Sequence, residues 1–273
     1  MSAAVQRGVA AVFADPRLYF VSAYTLKEGL QDHILFRLTV DADGQAVSLE
    51  QIETVVPAYW LGGFAASPDG TRIAFRGLAG GPGPNALPSA EINVVTVATG
   101  EQRTFSAGRP GHVSSLSWAA DGRHLAFQLD GVDGEDGIRI LDTHRDDGDL
   151  LAGSRRVVGW QTTFVGEFTT PVISPDGTRI HVIAAQQTDD GRRVTRVVEF
   201  DARTGEQLRV LFEQPYVDRG NVPWAFTQMT RDPSGRLLLV VDGAGSAYRI
   251  DIATAQATRL PSFNDEEPNS IAW

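Results

Sequence analysis

The sequence repeats itself at intervals of 52 to 58 residues. A Pro-Asp-Gly type of turn, followed by a short alternating segment, occurs at 67–75, 119–127, 174–182 and 232–240, and a weaker copy occurs at 13–21. Counting from Pro16 in the weak copy through Gly70, Gly122, Gly177 and Gly235 gives steps of 54, 52, 55 and 58 residues. A period of this kind indicates stacked copies of one small structural unit, so the repeat constrains the fold more than any other feature.

Each copy predicts a β-hairpin, because an apolar segment precedes the turn and a segment alternating apolar with polar residues follows it. Asp bonds its own backbone and Gly accepts a positive φ, so an Asp-Gly pair reverses the chain tightly. A second hairpin is predicted in most copies, with turns at 41–44, 98–100 and 202–205. Four short antiparallel strands per copy, with almost no helical pattern, predict an all-β protein, a β-propeller of four-stranded antiparallel blades. The competing fold, a β-sandwich, does not usually space its turns so regularly.

A single β-propeller domain spanning 1–273 is expected at this length. Its repeats are predicted at about 5–56, 57–108, 109–159, 160–214 and 215–262, and the inner strands of the five blades at 6–13, 61–66, 113–118, 168–174 and 224–231. One strand is left over, since 270–273 is similar to 115–118. An open sheet edge leaves backbone groups unpaired, so we expect 270–273 to dock as an inner strand. Five full blades plus this lone C-terminal strand form either a five-bladed or an incomplete six-bladed ring.

The charge balance and the missing cysteines exclude several classes of function. With 24 Lys and Arg against 34 Asp and Glu, a net charge of −10 and no basic stripe, nucleic acid is not an expected partner. Without cysteine there are no disulfides, no cysteine ligands for zinc and no thiol nucleophile. No apolar stretch approaches the roughly 18 residues of a membrane span, so membrane insertion is not predicted. No phosphate loop is present either, and no cofactor is expected.

The segment at 67–75, Ser-Pro-Asp-Gly-Thr-Arg-Ile-Ala-Phe, resembles the signature of TolB-like and WD-type propeller repeats. The segments 117–123, 141–143 and 151–155 resemble actinobacterial propellers of unassigned function. Arg accounts for 23 of the 24 basic residues, which is typical of a high-GC source. The resemblance implies a propeller fold and specifies no chemistry. Such propellers are often carried outside the cell on one membrane anchor. This chain reads as soluble, without a leader, and is expected to be extracytoplasmic if a leader or anchor lies upstream.

A ligand site is predicted on the face that carries the connectors between blades. In a propeller the Asp-Gly and Thr-Gly hairpins share one face, and ligands usually meet the other face around the central channel. Aromatic rings beside polar groups at that mouth suit a protein, peptide or glycan ligand. The candidate ligand-binding residues are Trp60, His112, Trp160, Glu167, Tyr216, Arg219 and Trp224. The alternative is that large rings fill gaps between blades, which fully explains Trp118 and Trp273 at the ends of inner strands.

The predicted function is therefore a binding or scaffolding propeller. The inner strands carry serine, threonine and glutamine but no acidic residue, so they lack the carboxylate pair of a glycosidase and no catalytic residue is assigned. The alternative is an enzyme, a hydrolase or lyase with its site over the central channel. It would use loop residues such as His112, Glu167, Tyr216 and Arg219.

No metal site is predicted from the histidines or from the acidic turns. The five histidines do not pair at ligand spacing, and His124 and His181 fall on second strands, where a structural histidine is expected. The acidic loop at 130–137 offers oxygen ligands for calcium but lacks the spacing of a twelve-residue calcium loop. It is interpreted as a solvated hairpin end, and the segment 145–149 as an exposed turn.

Overall fold

The computed structural model contains five four-stranded antiparallel sheets, numbered here as blades 1 to 5 along the chain. The structure describes residues 5–12, 15–27, 30–43, 45–53, 64–79, 89–159, 168–188, 190–215, 226–232, 234–242 and 246–260. Within these ranges the only helix is α1, a single turn at Leu150–Gly153, and no helix among them is long and apolar enough to cross a membrane. The predicted fold class, a β-propeller with five four-stranded blades and essentially no helix, is confirmed.

Each blade is a meander in which consecutive strands pair. Blade 1 contains β1 (Val5–Val12), β2 (Asp15–Lys27), β3 (Leu30–Val40) and β4 (Ala46–Gln51). Blade 2 contains β5 (Phe64–Ala66), β6 (Arg72–Ala79), β7 (Ser89–Thr96) and β8 (Gln102–Pro110). Blade 3 contains β9 (His112–Trp118), β10 (His124–Asp130), β11 (Gly137–Asp142) and β12 (Ser154–Gly159). Blade 4 contains β13 (Phe168–Ile173), β14 (Arg179–Gln187), β15 (Arg193–Asp201) and β16 (Gln207–Pro215). Blade 5 contains β17 (Phe226–Arg231), β18 (Leu237–Asp242), β19 (Ala247–Asp251) and β20 (Gln256–Arg259).

The first strands of neighbouring blades lie against one another. Strand β1 contacts β5, β5 contacts β9, β9 contacts β13, and β13 contacts β17. The first strands are therefore the innermost ones, and they surround the channel of the propeller. The segment 270–273 lies outside the described residues, so its docking as an extra inner strand stays a prediction. The repeat boundaries also stay a prediction.

The apolar core lies between the blades. Four buried clusters join blade 1 to 2 through Phe20 and Phe75, blade 2 to 3 through Phe105 and Phe127, blade 3 to 4 through Ile140 and Val182, and blade 4 to 5 through Val197 and Leu238. Burying a side chain of this size stabilises the fold by roughly 1.5–3 kcal/mol. Because each cluster draws on two sheets, the stability of one blade depends on its neighbours.

The turns have the conformation that the repeat predicts. The backbone φ is 70°, 63°, 70° and 75° at Gly70, Gly122, Gly177 and Gly235, and each of these N–H groups donates to the carbonyl three residues earlier. In blade 4 the carboxylate of Asp176 accepts from the Ser174 hydroxyl at 2.6 Å and from the Thr178 N–H at 3.0 Å. These bonds, first of all the one from Ser174, hold the pKa of Asp176 below its ordinary value. The turn prediction is confirmed.

Trp118 joins blades 2 and 3 and is fully buried. Its indole N–H donates to the carbonyl oxygen of Ala65 at 3.1 Å. The guanidinium of Arg72 lies over the ring, 5.1 Å from the centroid, and also donates to the carbonyl of Gly122. Packing between blades therefore accounts for Trp118, as predicted, whereas Trp273 lies outside the described residues.

Turns of neighbouring blades also touch through proline and glycine. The Pro175 ring of blade 4 lies against Gly235 of blade 5, and a Cβ added to Gly235 would sit 2.7 Å from Pro175 Cδ. A Cβ added to Gly177 would meet nothing within 4 Å. The two glycines differ because of the residue in the preceding blade. Gly235 follows blade 4, which has Pro175, whereas Gly177 follows blade 3, which has Ala120 at the same position.

Candidate functional site

Of the seven candidate ligand-binding residues, the structure describes His112. This residue begins β9 at the connector end of blade 3, and its side chain is exposed. The other six, Trp60, Trp160, Glu167, Tyr216, Arg219 and Trp224, lie outside the described residues. Their convergence on one mouth therefore stays a prediction.

Blades 2 and 3 are joined by a single residue. Strand β8 ends at Pro110 and β9 begins at His112, so the predicted connector at 109–112 is strand except for Gly111. Gly111 is buried, and a Cβ on it would lie 2.5 Å from Val132 Cγ2. The other pairs of blades are separated by longer segments, at 52–63, 160–167 and 216–225. By sequence, the predicted aromatic residues all fall within these longer segments.

A hydrogen-bonded carboxylate accompanies His112. Its partner in the ladder is Asp130, the last residue of β10, and the Cβ atoms of such partners lie roughly 5 Å apart. The buried amide of Gln128 donates to the Asp130 carboxylate at 2.7 Å, which holds that carboxylate in place. An exposed imidazole beside a held carboxylate can donate or accept a hydrogen bond from a ligand, or exchange a proton with it.

The first strands of blades 3 and 4 have bulges at the same repeat position. In β9 the register shifts between Ser114 and Ser117, and β13 has the equivalent shift. Within these bulges Ser115 has a φ of 53° and Thr170 a φ of 52°, a region that residues other than glycine rarely adopt. Both residues stand seven places before the turn glycine of their blade. Bulges and such backbone conformations are frequent at ligand and active sites, because they re-aim a side chain.

The described first strands carry hydrogen-bonding groups without carboxylates. None of β1, β5, β9, β13 and β17 contains Asp or Glu. Ser115, Ser117, Thr170 and Gln228 are half-buried on these strands. The Ser117 hydroxyl accepts a hydrogen bond from the backbone N–H of Ile173 at 3.4 Å, so it links blades 3 and 4. These described strands therefore do not supply the pair of carboxylates that glycoside cleavage needs.

A buried polar cluster crosses the last three strands of blade 4. His181 on β14 has a side chain that is 1% exposed, and its Nε2 lies 3.0 Å from Glu199 Oε2 on β15. The guanidinium of Arg209 on β16 donates to both carboxylate oxygens of Glu199, at 3.1 and 3.3 Å. The hydrogen bond from His181, followed by that from Arg209, lowers the pKa of Glu199 to about 2. The structural role predicted for His181 fits this position, but the sequence analysis missed its two partners.

This cluster belongs to the framework of the ring. His181 Nδ1 is buried and has no hydrogen-bond partner among the described residues. Arg209 also donates to the carbonyl of Ile252 in blade 5 at 2.8 Å. The three side chains therefore bond to one another, and Arg209 joins blade 4 to blade 5 at the turn end of the sheets.

The acidic loop at 130–137 directs much of its hydrogen bonding inward. The Asp136 carboxylate accepts from the Val132 N–H at 2.8 Å, and Glu135 pairs with the buried Arg139 at 2.8 Å. Burial lowers the pKa of Arg139, and the ion pair with Glu135 opposes that effect. Among the described parts of the chain, no three His, Asp or Glu side chains are grouped to hold a metal ion.

No protein-family model and no curated protein matches the chain. Among solved structures it is similar to the putative TolB from Agrobacterium tumefaciens, with a TM-score of 0.63 and 16% identity over 98% of this chain and 85% of that one. TolB from Acinetobacter baumannii matches with a TM-score of 0.59 and 16% identity, over 96% of this chain and 55% of that one. The tricorn protease matches with a TM-score of 0.57 and 10% identity, over 94% of this chain and 26% of that one.

This chain thus spans about half of the Acinetobacter protein and a quarter of the tricorn protease. At such low identities the likeness concerns the fold alone. By its fold, the chain is a five-bladed β-propeller with TolB-like neighbours.

Proposed function

We propose that this propeller is a binding or scaffolding module that recognises a protein, a peptide or a glycan on its connector face. The observation that carries the proposal is the uniform strand order of the five blades. Because each blade is the same meander, the first strands start at one face, and we expect the segments that precede them in the chain, at 52–63, 160–167 and 216–225, to open on that face. Together with His112 at the start of β9, these segments are expected to bring residues of blades 2, 3, 4 and 5 to one mouth.

Two features of the described residues support a ligand at this mouth. His112 presents an exposed imidazole there, beside the held carboxylate of Asp130. Below it, the bulges at Ser115 and Thr170 place two hydroxyl-bearing residues in uncommon backbone conformations on neighbouring inner strands. Hydroxyl, amide and imidazole groups suit a ligand that is oriented by a few hydrogen bonds and gripped by aromatic rings.

The test is a screen followed by substitution. The full chain would be screened against a glycan array and a phage-displayed library of twelve-residue peptides, and the best ligand measured by calorimetry. Trp60→Ala and Trp224→Ala are each expected to weaken binding about 30-fold, the loss typical of a buried aromatic hot spot. His112→Ala is expected to weaken it about fivefold, because one exposed hydrogen bond is lost.

The matched control is Leu208→Ala, which trims an exposed apolar side chain on the outer strand of blade 4. It should change neither affinity nor melting temperature. If Trp60→Ala and Trp224→Ala bind the selected ligand as well as the unchanged protein, the proposed site is wrong. If they instead unfold the chain and His112→Ala binds normally, the rings belong to the core and the proposal fails in the same way.

A further inference from the structure

Three arginines occupy the same position on the fourth strands of successive blades. These junction arginines are Arg103 on β8, Arg155 on β12 and Arg209 on β16. Each one pairs with a residue on the third strand of its blade. That residue pairs in turn with the second-strand residue that stands four places after the turn glycine. The position is therefore fixed by the register of the whole sheet.

Each junction arginine reaches the following blade. It donates to backbone carbonyl groups where the third strand of that blade turns into the fourth. The distances are 3.1 and 3.3 Å from Arg103 to Thr143 and Arg145, 3.2 Å from Arg155 to Arg203, and 2.8 and 3.4 Å from Arg209 to Ile252 and Ala253. Hydrogen bonds from a charged donor are stronger than those between neutral groups, and they fix the relative position of the two blades. Blades 2, 3, 4 and 5 are thus linked in series.

Blades 1 and 5 have other residues at this position. In blade 1 it is Glu50, which accepts from its ladder partner Arg37 at 2.5 and 3.2 Å within the same sheet. A carboxylate has no proton to donate to a carbonyl. In blade 5 it is Thr258, whose short side chain lacks the reach of a guanidinium. The two junctions without a junction arginine are therefore the two that flank blade 1.

The outer strand of blade 1 is also more open than its counterpart in blade 2. All six residues of β4 are exposed, and Val47 and Leu49 are 65% and 61% exposed, the highest values among the large hydrophobic residues described. Strand β8 of blade 2, by contrast, is held by blade 3, since the Ser106 N–H donates to the carbonyl of Gly148 at 2.9 Å. The described contact between blades 1 and 2 is the apolar cluster that contains Phe20.

We propose that blade 1 is the movable blade of this propeller and opens before any other. Blades 2 to 5 form an arc held by hydrogen bonds from the junction arginines. Among the described residues, neither of the two junctions that flank blade 1 has a junction arginine. Local opening follows the weakest cooperative unit of a structure, and a junction that lacks the hydrogen bonds of a junction arginine should open at lower cost. Opening at this blade would widen the ring from its side.

The experiment is hydrogen exchange with mass spectrometry on the full chain, comparing the third strands β3 and β11. These strands have the same place in their blades, so an intrinsic edge effect cancels. In the unchanged protein we expect amides of β3 to exchange at least tenfold faster than those of β11. The double variant Arg37→Glu with Glu50→Arg keeps the net charge and gives blade 1 the arrangement of Glu199 and Arg209. It should slow exchange in β3 about three- to tenfold and leave β11 unchanged.

The control variant removes one junction arginine. Arg155→Gln should speed exchange in β11 about three- to tenfold, because it loosens the junction between blades 3 and 4. Equal exchange in β3 and β11 of the unchanged protein would overturn the proposal. So would a folded double variant whose β3 exchanges as before. If the double variant does not fold, the unchanged protein decides: exchange at least tenfold faster in β3 than in β11 supports the proposal, and equal exchange overturns it.

Discussion

The junction between blades 3 and 4 is apolar at a place where the junction between blades 4 and 5 is charged. Four residues after the turn glycine, and at the facing position on the third strand, blade 3 has Ala126 and Ile140, whereas blade 4 has His181 and Glu199. All four are buried. The repeat therefore sets the geometry of the junction and leaves the chemistry of this pair open, provided that the buried polar groups find partners.

Two of the three junction arginines, Arg155 and Arg209, explain how blade 4 accommodates a buried charge. Arg155 in blade 3 donates to the backbone carbonyl of Arg203 in the next blade, and its third-strand partner, Ile140, has no carboxylate. Arg209 in blade 4 donates to a backbone carbonyl of the next blade and also to both carboxylate oxygens of Glu199. A buried carboxylate is tolerated only when it is paired and hydrogen-bonded. The same register, repeated in the two blades, therefore accommodates either a buried apolar pair or a buried ionic pair at the junction.

The largest loss of stability is expected when one partner of the buried ionic pair is removed. Glu199→Ile should lower the free energy of unfolding by about 3 kcal/mol, because it leaves His181 buried without its acceptor and removes the partner of Arg209. The measurement is equilibrium unfolding in urea, read by tryptophan fluorescence.

The matched control converts blade 4 to the chemistry of blade 3. The double variant His181→Ala with Glu199→Ile should recover stability to within about 1 kcal/mol of the unchanged protein, because an apolar pair of suitable volume replaces a buried ionic pair at little cost. If the single variant is as stable as the unchanged protein, the buried ionic pair contributes nothing and the comparison loses its meaning.

A smaller effect is expected from acid. The pKa of Glu199 is about 2 in the folded protein against an ordinary value of 4.5, mainly because of the hydrogen bond from His181. A lowered pKa means that the ionised carboxylate stabilises the fold above pH 4.5, and that this stabilisation is lost as the pH falls towards 2. Between pH 4.5 and pH 2, the free energy of unfolding of Glu199→Gln should therefore fall by about 2–3 kcal/mol less than that of the unchanged protein.

The measurement for this prediction is the urea midpoint at a series of pH values. Other carboxylates with a lowered pKa, such as that of Asp176, titrate in both proteins and cancel in the difference. Parallel pH profiles would show that Glu199 is not held ionised by its blade.

The smallest effect concerns the turns at the same two junctions. Gly177→Ala should cost about 1 kcal/mol, because its φ of 70° is unfavourable for alanine while the space around it is open. Gly235→Ala should cost about 1–2 kcal/mol more, since the new Cβ would also press on the rigid ring of Pro175. Thermal unfolding of the two variants measures the difference. In the background Pro175→Ala, the two costs should become equal, and a persisting gap would contradict the role given to the proline.

The blades and their turns were predictable because the information is local. A Pro-Asp-Gly turn encodes its own positive φ and its own hydrogen bonds within four residues, and recurrence of the turn then predicts five full blades, although it left a five-bladed and an incomplete six-bladed ring as alternatives. The contact of His181 with Glu199 was not predictable in this way, because it depends on the register of strands whose pairing residues stand 18 positions apart. The junction arginines did leave a signal. Their spacing of 52 and 54 residues, from 103 to 155 to 209, matches the repeat.

The candidate site was predictable only as a set of positions on one face. Strand order places His112 at the connector end of β9, as expected of that face. The sequence interpretation treated it as a connector residue, whereas it is the first residue of a strand, because the link between blades 2 and 3 is shorter than any turn signal suggested. Its neighbour Asp130 was assigned to the acidic loop, although it ends β10 as the ladder partner of His112.

The single buried residue between blades 2 and 3 has a mechanical consequence. A hinge needs residues that are free to change φ and ψ as two bodies rotate. Gly111 is enclosed by Val132 and by the side chain of Ala90, 3.2 Å from where a Cβ would stand, and no other residue lies between the two strands it joins. We therefore expect these two blades to move as one rigid body, so that a rotation of sheet against sheet would have to occur at another junction of the propeller.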